Sequence, residues 1–414
     1  MERFGGSFTQ QEPIPEAGIA AALEVMRHGR LHRYNTLAGE AGEAALLEAE
    51  FAAFTGARFC LAVASGGYAM GCALRACGLG PGEPVLTNAF TLAPVPGAIA
   101  AAGGVPVFVE ITGDLVIDLA DLEARARQTG ARQTGARLLL LSHMRGHVCD
   151  MDALVRLCEG LGVTIIEDCA HTMGAEWRGV ASGRHGAVAC YSTQTYKHMN
   201  SGEGGLIVTD DAELAARMVL LSGSYMLYGK HLAAPGPEVF EGLRLEVPNV
   251  SGRMDNLRAA VLRPQIGLLR DRRDRWAGLY RGMEAGLAGV PGLRLIARPE
   301  EEAYMGSSFQ FRLPDWDEAR ITAFLAGCIG RGVELKWFGA GDPVAFTSRY
   351  VHWRYAGAQS CPATDRILAG LVDMRLPLTF SVEDVAQIAR IIRAEALRIG
   401  QAEVVEAVAA PQVQ

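Results

Sequence analysis

Paired cysteines are missing from this chain of 414 residues. Its nine cysteines stand singly at 60, 72, 77, 149, 158, 169, 190, 328 and 361, without C-x-x-C and without zinc-ribbon spacing to histidine. That excludes a zinc ribbon and a dithiol redox motif. An odd set of thiols in apolar surroundings, as in Phe59-Cys60-Leu61 and Ala189-Cys190-Tyr191, fits buried thiols in a reducing compartment. The first residues, MERFGGSFTQQEP, lack the apolar core of a secretory signal, so a cytoplasmic location is expected. One uncharged run, 87–109, reaches membrane length. It is broken by Pro94, Pro96, Pro106, Gly97, Gly103 and Gly104, and so predicts a helix, turn and strand rather than a bilayer span. Positive charge is also lacking: 39 Lys and Arg stand against 46 Asp and Glu, a net −7, with no basic segment. Bulk electrostatics therefore argue against a nucleic-acid partner. There is no G-x-x-x-x-G-K-[ST], which excludes a P-loop, and no G-x-G-x-x-G after the first strand, which counts against a dinucleotide fold.

What is present is a chain 50% hydrophobic and 21% charged, with 49 Gly, large enough to bury a core without staples. Apolar runs at 59–64, 84–88, 105–109, 138–142, 163–167, 187–191 and 205–209 read as strands buried on both faces. Amphipathic segments such as 70–77, 119–127 and 151–161 lie between them, which predicts an α/β unit with a largely parallel sheet. Helices are expected over 13–27 and 42–54, joined by HGRLHRYN. A long helix is expected over 255–286, capped by Asp255 and interrupted near Pro264. From about 290 the pattern becomes α+β, with strand 307–313, helix 317–331, strand 332–338 and a last helix 382–399. The expected organisation is a large unit over 1–265, a smaller one over 266–400 and a frayed tail at 401–414. RQTGA occurs in tandem at 127–136 and reads as a tolerated duplication in a surface connection.

Three features carry chemistry. Ser65-Gly66-Gly67 follows a strand and opens a helix, offering backbone N–H groups and the positive dipole end to an anion. Glu167-Asp168 closes the strand VTII, at the edge where α/β proteins bind ligands, with His171 three residues on. Lys197 lies between a strand and the Gly-rich turn Ser201-Gly202-Glu203-Gly204-Gly205, in a stretch with few charges. A partly desolvated amine there has a lowered pKa and can act as a Schiff-base nucleophile. An anion cradle, a strand-end carboxylate and an amine match the needs of pyridoxal 5'-phosphate (PLP): donors for the phosphate, an anion for the ring nitrogen and an amine for the aldehyde.

Five stretches in this order are specific: VASGGYAMGCALRACGLGPGEPVLTNAFT (63–91), HMRGHVCDMDAL (143–154), IIEDCAHTMGA (165–175), ACYSTQTYKHMNSGEGGLIVTDD (189–211) and RMDNLRAAVL (253–262). Through them the chain resembles the DegT/DnrJ/StrS family of fold-type-I aminotransferases over 15–392. The resemblance implies a mostly parallel sheet of about seven strands flanked by helices, plus a smaller C-terminal α+β domain. It implies transfer of an amino group from an amino acid, glutamate or glutamine, to a keto-sugar, cyclitol or related ketone. PLP would be the cofactor, with pyridoxamine 5'-phosphate as its amino-carrying form. Lys197 would carry the Schiff base and Asp168 would face the ring nitrogen, with His171 near the cofactor's 3'-oxygen. Ser65, Gly66, Gly67 and Ser192 would hold the phosphate. A residue before Arg253 would reach the phosphate of a neighbouring subunit, which implies a homodimer with shared active sites. Other PLP reactions (lyase, racemase, sugar dehydratase) and a PLP-binding regulator remain as alternatives.

The chain departs from the family pattern at several points. Gly67 stands where Thr is usual, so a hydroxyl is missing, and Leu92 aligns with the ring-stacking aromatic, leaving an aliphatic face or a shifted Phe90. Ser251 stands in place of the cross-subunit Asn, with Asn249 as a substitute, and Arg145 falls in a stretch where the family often has Tyr. Arg33, Tyr34 and Arg145 are candidate contacts for a carboxylate or phosphate, and the runs 222–231 and 336–343 are candidate walls of the substrate entrance. No metal ligand set is expected.

Overall fold

The computed structural model describes residues 2–130 and 135–409. Its strands among those residues are β1 Phe59–Val63, β2 Pro84–Asn88, β3 Val105–Val109, β4 Leu138–Ser142, β5 Thr164–Asp168, β6 Glu176–Trp177, β7 Val180–Ala181, β8 Val188–Ser192, β9 Gly205–Thr209, β10 Arg294–Leu295, β11 Glu302–Ala303, β12 Ser308–Arg312, β13 Lys336–Trp337 and β14 Leu371–Arg375. Seven of them form one sheet in the order β1-β9-β8-β5-β4-β2-β3. β3, β2, β4, β5 and β8 run parallel, and β9 is antiparallel to both β8 and β1. The central strands are apolar because helices cover both faces. Helices α1 Glu16–His28, α2 Glu43–Thr55, α3 Gly66–Ala76 and α4 Pro94–Ala101 are the first four. α3, α4 and the helix Ala212–Ser222 pack on one face, while α2 and the helix Asn256–Ile266 pack on the other. The run 87–109 thus resolves into the end of β2, then α4 with Pro94 and Pro96 in its first turn, then β3. No helix among the described residues is long and apolar enough to cross a membrane.

A second core lies in the C-terminal part. The antiparallel sheet β10-β12-β14-β13 packs against the helices Leu269–Leu287, Glu318–Gly330 and Val382–Ala409. Phe4 and Phe8 belong to this core and meet Phe380 edge-on at ring distances of 5.2 and 5.0 Å. The first residues thus pack away from the large unit to which the sequence reading attached them. Their aromatic rings find apolar surface on the smaller sheet layer.

Asp255 accepts the Arg258 N–H at 2.9 Å and caps the helix Asn256–Ile266 as expected. The break comes at Gly267 and Leu268, just beyond Pro264, before the helix Leu269–Leu287 begins. The strand expected over 332–338 shrinks to β13, and the last helix runs on past 399 to Ala409. Residues 410–414 of the expected tail and 131–134 of the tandem repeat lie outside the described residues. The nine cysteines form no disulfide, and all but half-buried Cys77 are buried.

Candidate active site

Strand ends converge on one cavity at the C-terminal edge of the parallel strands. β4 ends on Ser142, β5 on Asp168 and β8 on Ser192, and the chain leaving β1 reaches Ser65 at the start of α3. Register sets Ser142 beside Asp168 and Ser192 beside Gly205. Ser65 is extended and its Oγ accepts the Tyr68 N–H at 3.1 Å, which caps α3. A Cβ on Gly66 would lie 2.9 Å from the Ser192 Cβ, and one on Gly205 would lie 2.5 Å from the Ser65 carbonyl oxygen. Glycine at these positions brings the N-terminus of α3 against β8. The early N–H groups of the helix are left to face an anion. Around that turn lies a cavity of about 430 Å³, lined by Gly66, Gly67, Leu92, Asp168, His171, Ser192 and Lys197 among others.

Asp168 is buried; its Oδ1 accepts the Ala170 N–H at 3.1 Å and its Oδ2 accepts the Ser142 hydroxyl at 3.2 Å. Ser142 in turn accepts the Thr91 hydroxyl at 2.8 Å. Burial pushes the Asp168 carboxyl above its usual range, although the Ala170 N–H and Lys197 pull the other way. It is an anion without a hydrogen-bonded cation. Its neighbour Glu167 points into different company: it accepts the N–H groups of Gly183, His185 and Gly186 and pairs with His143 at 3.1 Å. Glu167, His143 and Cys169 lie close enough to hold an ion, but Glu167 is already saturated in fastening the 183–186 loop.

Lys197 Nζ lies 2.8 Å from His171 Nε2. The Arg145 backbone N–H points at His171 Nδ1 at 3.3 Å, so Nδ1 is the acceptor. Burial, with Lys197 and Arg145 nearby, holds the His171 pKa well below its usual range, and the ring is neutral. A neutral ring that accepts at Nδ1 carries its hydrogen on Nε2. That hydrogen points at Lys197, whose lone pair is open only in the neutral amine. Burial, aided by Arg145, lowers the Lys197 pKa to about 7, against the pull of Asp168. Geometry and electrostatics thus agree on an amine whose neutral form is well populated near neutrality.

A second cavity of about 810 Å³ adjoins the first and shares Leu92, His171 and Lys197 with it. Arg145, Arg375, Tyr196 and Phe346 line its outer part. Arg145 sits in a left-handed turn, φ 58°, and its Nη2 donates to buried Asp373 at 2.9 Å.

The structure gathers Lys197, Asp168, His171, Gly66, Gly67, Ser192 and Leu92 around the first cavity, with Ser65 capping the helix behind it. Other candidates lie elsewhere. Arg33 is buried away from both cavities; it donates to Glu48 at 2.8 Å and to the Ala62 carbonyl at 3.2 Å. Tyr34 is buried beside it, its hydroxyl 2.8 Å from His231 Nε2. Both Arg33 Nη atoms and the Tyr34 hydroxyl are committed within the fold, away from both cavities, which corrects their assignment as substrate contacts. Phe90 does not shift into the site, because it packs edge-on against Phe338 at 5.1 Å in a separate apolar cluster. Asn249 and Ser251 are exposed and bonded to each other, and neither lines a cavity of this chain. The runs 222–231 and 336–343 line neither cavity; the later Phe346 does. Thr91, Ser142, Tyr196, Phe346 and Arg375 escaped the sequence reading. Of these, only Ser142, at a strand end beside the chemistry-bearing β5, carried a usable signal.

A seven-stranded sheet with an amine, a buried carboxylate and a helix-terminal cradle at its edge defines a fold-type-I transferase. The chain belongs to the DegT/DnrJ/EryC1/StrS aminotransferase family, whose model matches residues 15–393. It is 31% identical over 289 residues to the "Pleiotropic regulatory protein" of Geobacillus stearothermophilus, covering 67% of this chain and 70% of that one. It is 31% identical over 291 residues to the L-glutamine:2-deoxy-scyllo-inosose aminotransferase of Streptomyces fradiae, covering 70% of this chain and 66% of that one. The chain thus spans about two thirds of the length of these curated relatives. The crystal structure of DesV from S. venezuelae, in complex with a ketimine intermediate, superposes with a TM-score of 0.75 at 29% identity, covering 92% of this chain and 94% of that one.

Proposed function

We propose that the protein is a PLP-dependent aminotransferase that moves an amino group from glutamate or glutamine to a keto-sugar, a cyclitol or a related ketone. One observation carries this reading: Lys197, Asp168 and the Gly66–Ser192 edge face the same cavity. The residues fit the cofactor. Gly66 lets the start of α3 close on Ser192, where a Cβ would come to 2.9 Å, the Asp168 carboxyl is buried with no hydrogen-bonded cation among the described residues, and the pKa of the amine is lowered to about 7.

PLP, when bound, supplies an aldehyde for an amine and a ring that withdraws electrons from the substrate carbon. The chain supplies the rest. The N-terminus of α3, with Gly66, Gly67 and the Ser192 hydroxyl, holds the phosphate. Asp168, oriented by Ser142 and Ala170, holds a proton on the ring nitrogen by its charge. Leu92 gives an aliphatic wall in place of an aromatic one. Lys197, with a pKa of about 7, is a nucleophile when neutral and takes or returns a proton at the substrate carbon when freed. His171 directs its Nε2 hydrogen at that amine and so orients its lone pair. Ser251, at φ 46°, and Asn249 form an exposed knuckle held by Arg253, which would reach the phosphate of a second subunit if the protein is a homodimer. The glutamine and cyclitol named for the S. fradiae relative support the donor and acceptor classes. A lysine at 197 favours transfer over dehydration.

The test is direct. Borohydride should fix PLP to Lys197, seen by peptide mass spectrometry, and L-glutamine or L-glutamate should change the visible absorbance of the loaded protein. Lys197→Ala should lose the adduct and turnover. Asp168→Asn should keep the adduct and lose on the order of 10²–10³-fold in rate. Turnover that survives in Lys197→Ala refutes the reading.

A further inference from the structure

Two arginines line the outer cavity, and they are not equivalent. Arg145 is buried, and its Nη2 is committed to Asp373 at 2.9 Å. Asp373 is fully buried and also accepts the Gln310 side-chain amide at 2.7 Å, so that ion pair is closed within the protein. The side chain of Arg375, at the end of β14, forms no hydrogen bond or ion pair with any described residue. It is held instead by ring faces: its guanidinium carbon lies 3.9 Å from the Tyr196 ring centre and 5.3 Å from that of Phe346. Phe346 also stacks Arg145, at 4.3 Å. A guanidinium held by its face keeps its in-plane N–H donors free, and that planar edge matches a carboxylate in two parallel hydrogen bonds. With Arg145 hydrogen-bonded to Asp373, the cavity that reaches Lys197 carries a second guanidinium, Arg375, that is half-buried, held by ring faces and without a hydrogen-bonded carboxylate among the described residues.

We infer that Arg375 is a specificity residue that grips a substrate carboxylate, so that at least one of the two substrates is recognised as an acid. The inference rests on the aminotransferase reading and narrows its substrate class. The carboxylate belongs either to the amino donor or to the ketone acceptor. Arg145, with Nη2 committed to Asp373, stacks on Phe346 and through it helps to orient Arg375.

Binding of glutarate and of its neutral analogue glutaramide to the PLP-loaded protein, measured by isothermal titration calorimetry, tests this without turnover. Glutarate should bind at least tenfold more tightly. Arg375→Gln should erase the preference, and Arg375→Lys should restore part of it. Because the Arg375 side chain makes no hydrogen bond or ion pair with a described residue, Arg375→Gln should stay folded, its melting lowered only by the loss of the two ring contacts. Tyr196→Leu, which keeps the charge but removes its platform, should weaken glutarate several-fold. No preference in the wild type, or a preference that survives Arg375→Gln, overturns the inference. Two half-reactions locate the source. A KM raised tenfold or more by Arg375→Gln for L-glutamine, but not for its α-amide, assigns the carboxylate to the donor. The same contrast between 4-oxocyclohexane-1-carboxylate and cyclohexanone assigns it to the acceptor. A variant that shifts neither pair again overturns it. Failure of the aminotransferase reading shows separately, as a protein with no borohydride adduct at Lys197, and glutarate binding to the protein as purified is then still decisive for Arg375.

Discussion

A neutral lysine in a folded protein is costly, and the cost has a measurable pH signature. The Lys197 pKa falls from 10.5 to about 7, first through burial and then through Arg145. Between those values the unfolded chain carries a proton that the folded chain does not, so stability rises with pH, by up to about 1.4 kcal/mol per unit. The sign follows from a base with a lowered folded pKa: its destabilising contribution is full below about 7 and gone above 10.5. Raising the pH from about 7 to 9 removes about 2 kcal/mol of that contribution, and the partial exposure of the side chain brings the expectation to about 1–2 kcal/mol. Lys197→Met has no such term and keeps a similar volume. Urea unfolding of cofactor-free wild type and Lys197→Met at the two pH values isolates it, since all other titrating groups cancel in the comparison. Lys197→Met should be the more stable near neutrality, and the gap should narrow by that amount in the more alkaline buffer. A gap that is constant or widens would show that the amine is not held neutral by the fold.

The two glycines of the cradle should respond in opposite ways. Gly66→Ala drives a Cβ to 2.9 Å from the Ser192 Cβ and should cost about 1–3 kcal/mol, weakening PLP at least tenfold in an absorbance titration. Gly67→Ser meets only ordinary contacts, 3.9 Å to Ser65 Oγ and 4.0 Å to Pro94, and should fold normally and bind PLP as tightly or more so. At the buried ion pair, Glu48→Leu leaves Arg33 and His231 without their acceptor and should cost about 3–5 kcal/mol in urea unfolding. Adding Arg33→Met should recover most of that loss, with PLP absorbance unchanged in both variants.

Elements with one strong local signal were legible in the sequence. Strands such as Leu138–Ser142 are continuous apolar runs that only a doubly covered sheet can hide, and Asp255 announced a helix start by a side chain that accepts an N–H three residues on. The inner site was legible for the same reason: Ser65-Gly66-Gly67, Asp168 and Lys197 all stand at strand ends, where topology alone brings them together. The outer cavity was not. Phe346 comes from a loop after the two-residue strand β13, and Arg375 ends a strand of the second sheet; they line one cavity with Tyr196 only because two layers dock. No periodicity or turn chemistry encodes that docking.

The arginines show why residue type could not settle the substrate contacts. Arg33, Arg145 and Arg375 look alike in sequence. What separates them is the nearest carboxylate. Glu48, one helix further along the chain, also accepts the Ala62 N–H and approaches His231, so it is held below the usual carboxyl range although burial opposes its charge. It satisfies Arg33 inside the fold. Asp373 does the same for Arg145 across 228 residues of chain. All three guanidiniums lie over aromatic rings, but the Arg375 side chain has only those ring faces and no hydrogen-bonded carboxylate among the described residues. An oriented cation with no hydrogen-bonded carboxylate, beside an amine of lowered pKa, is a recognition element, because binding an acid there replaces no existing hydrogen-bonded ion pair. That acid would also oppose the field that Arg375 exerts on Lys197, raising the amine's affinity for the proton it has to take up from the substrate carbon.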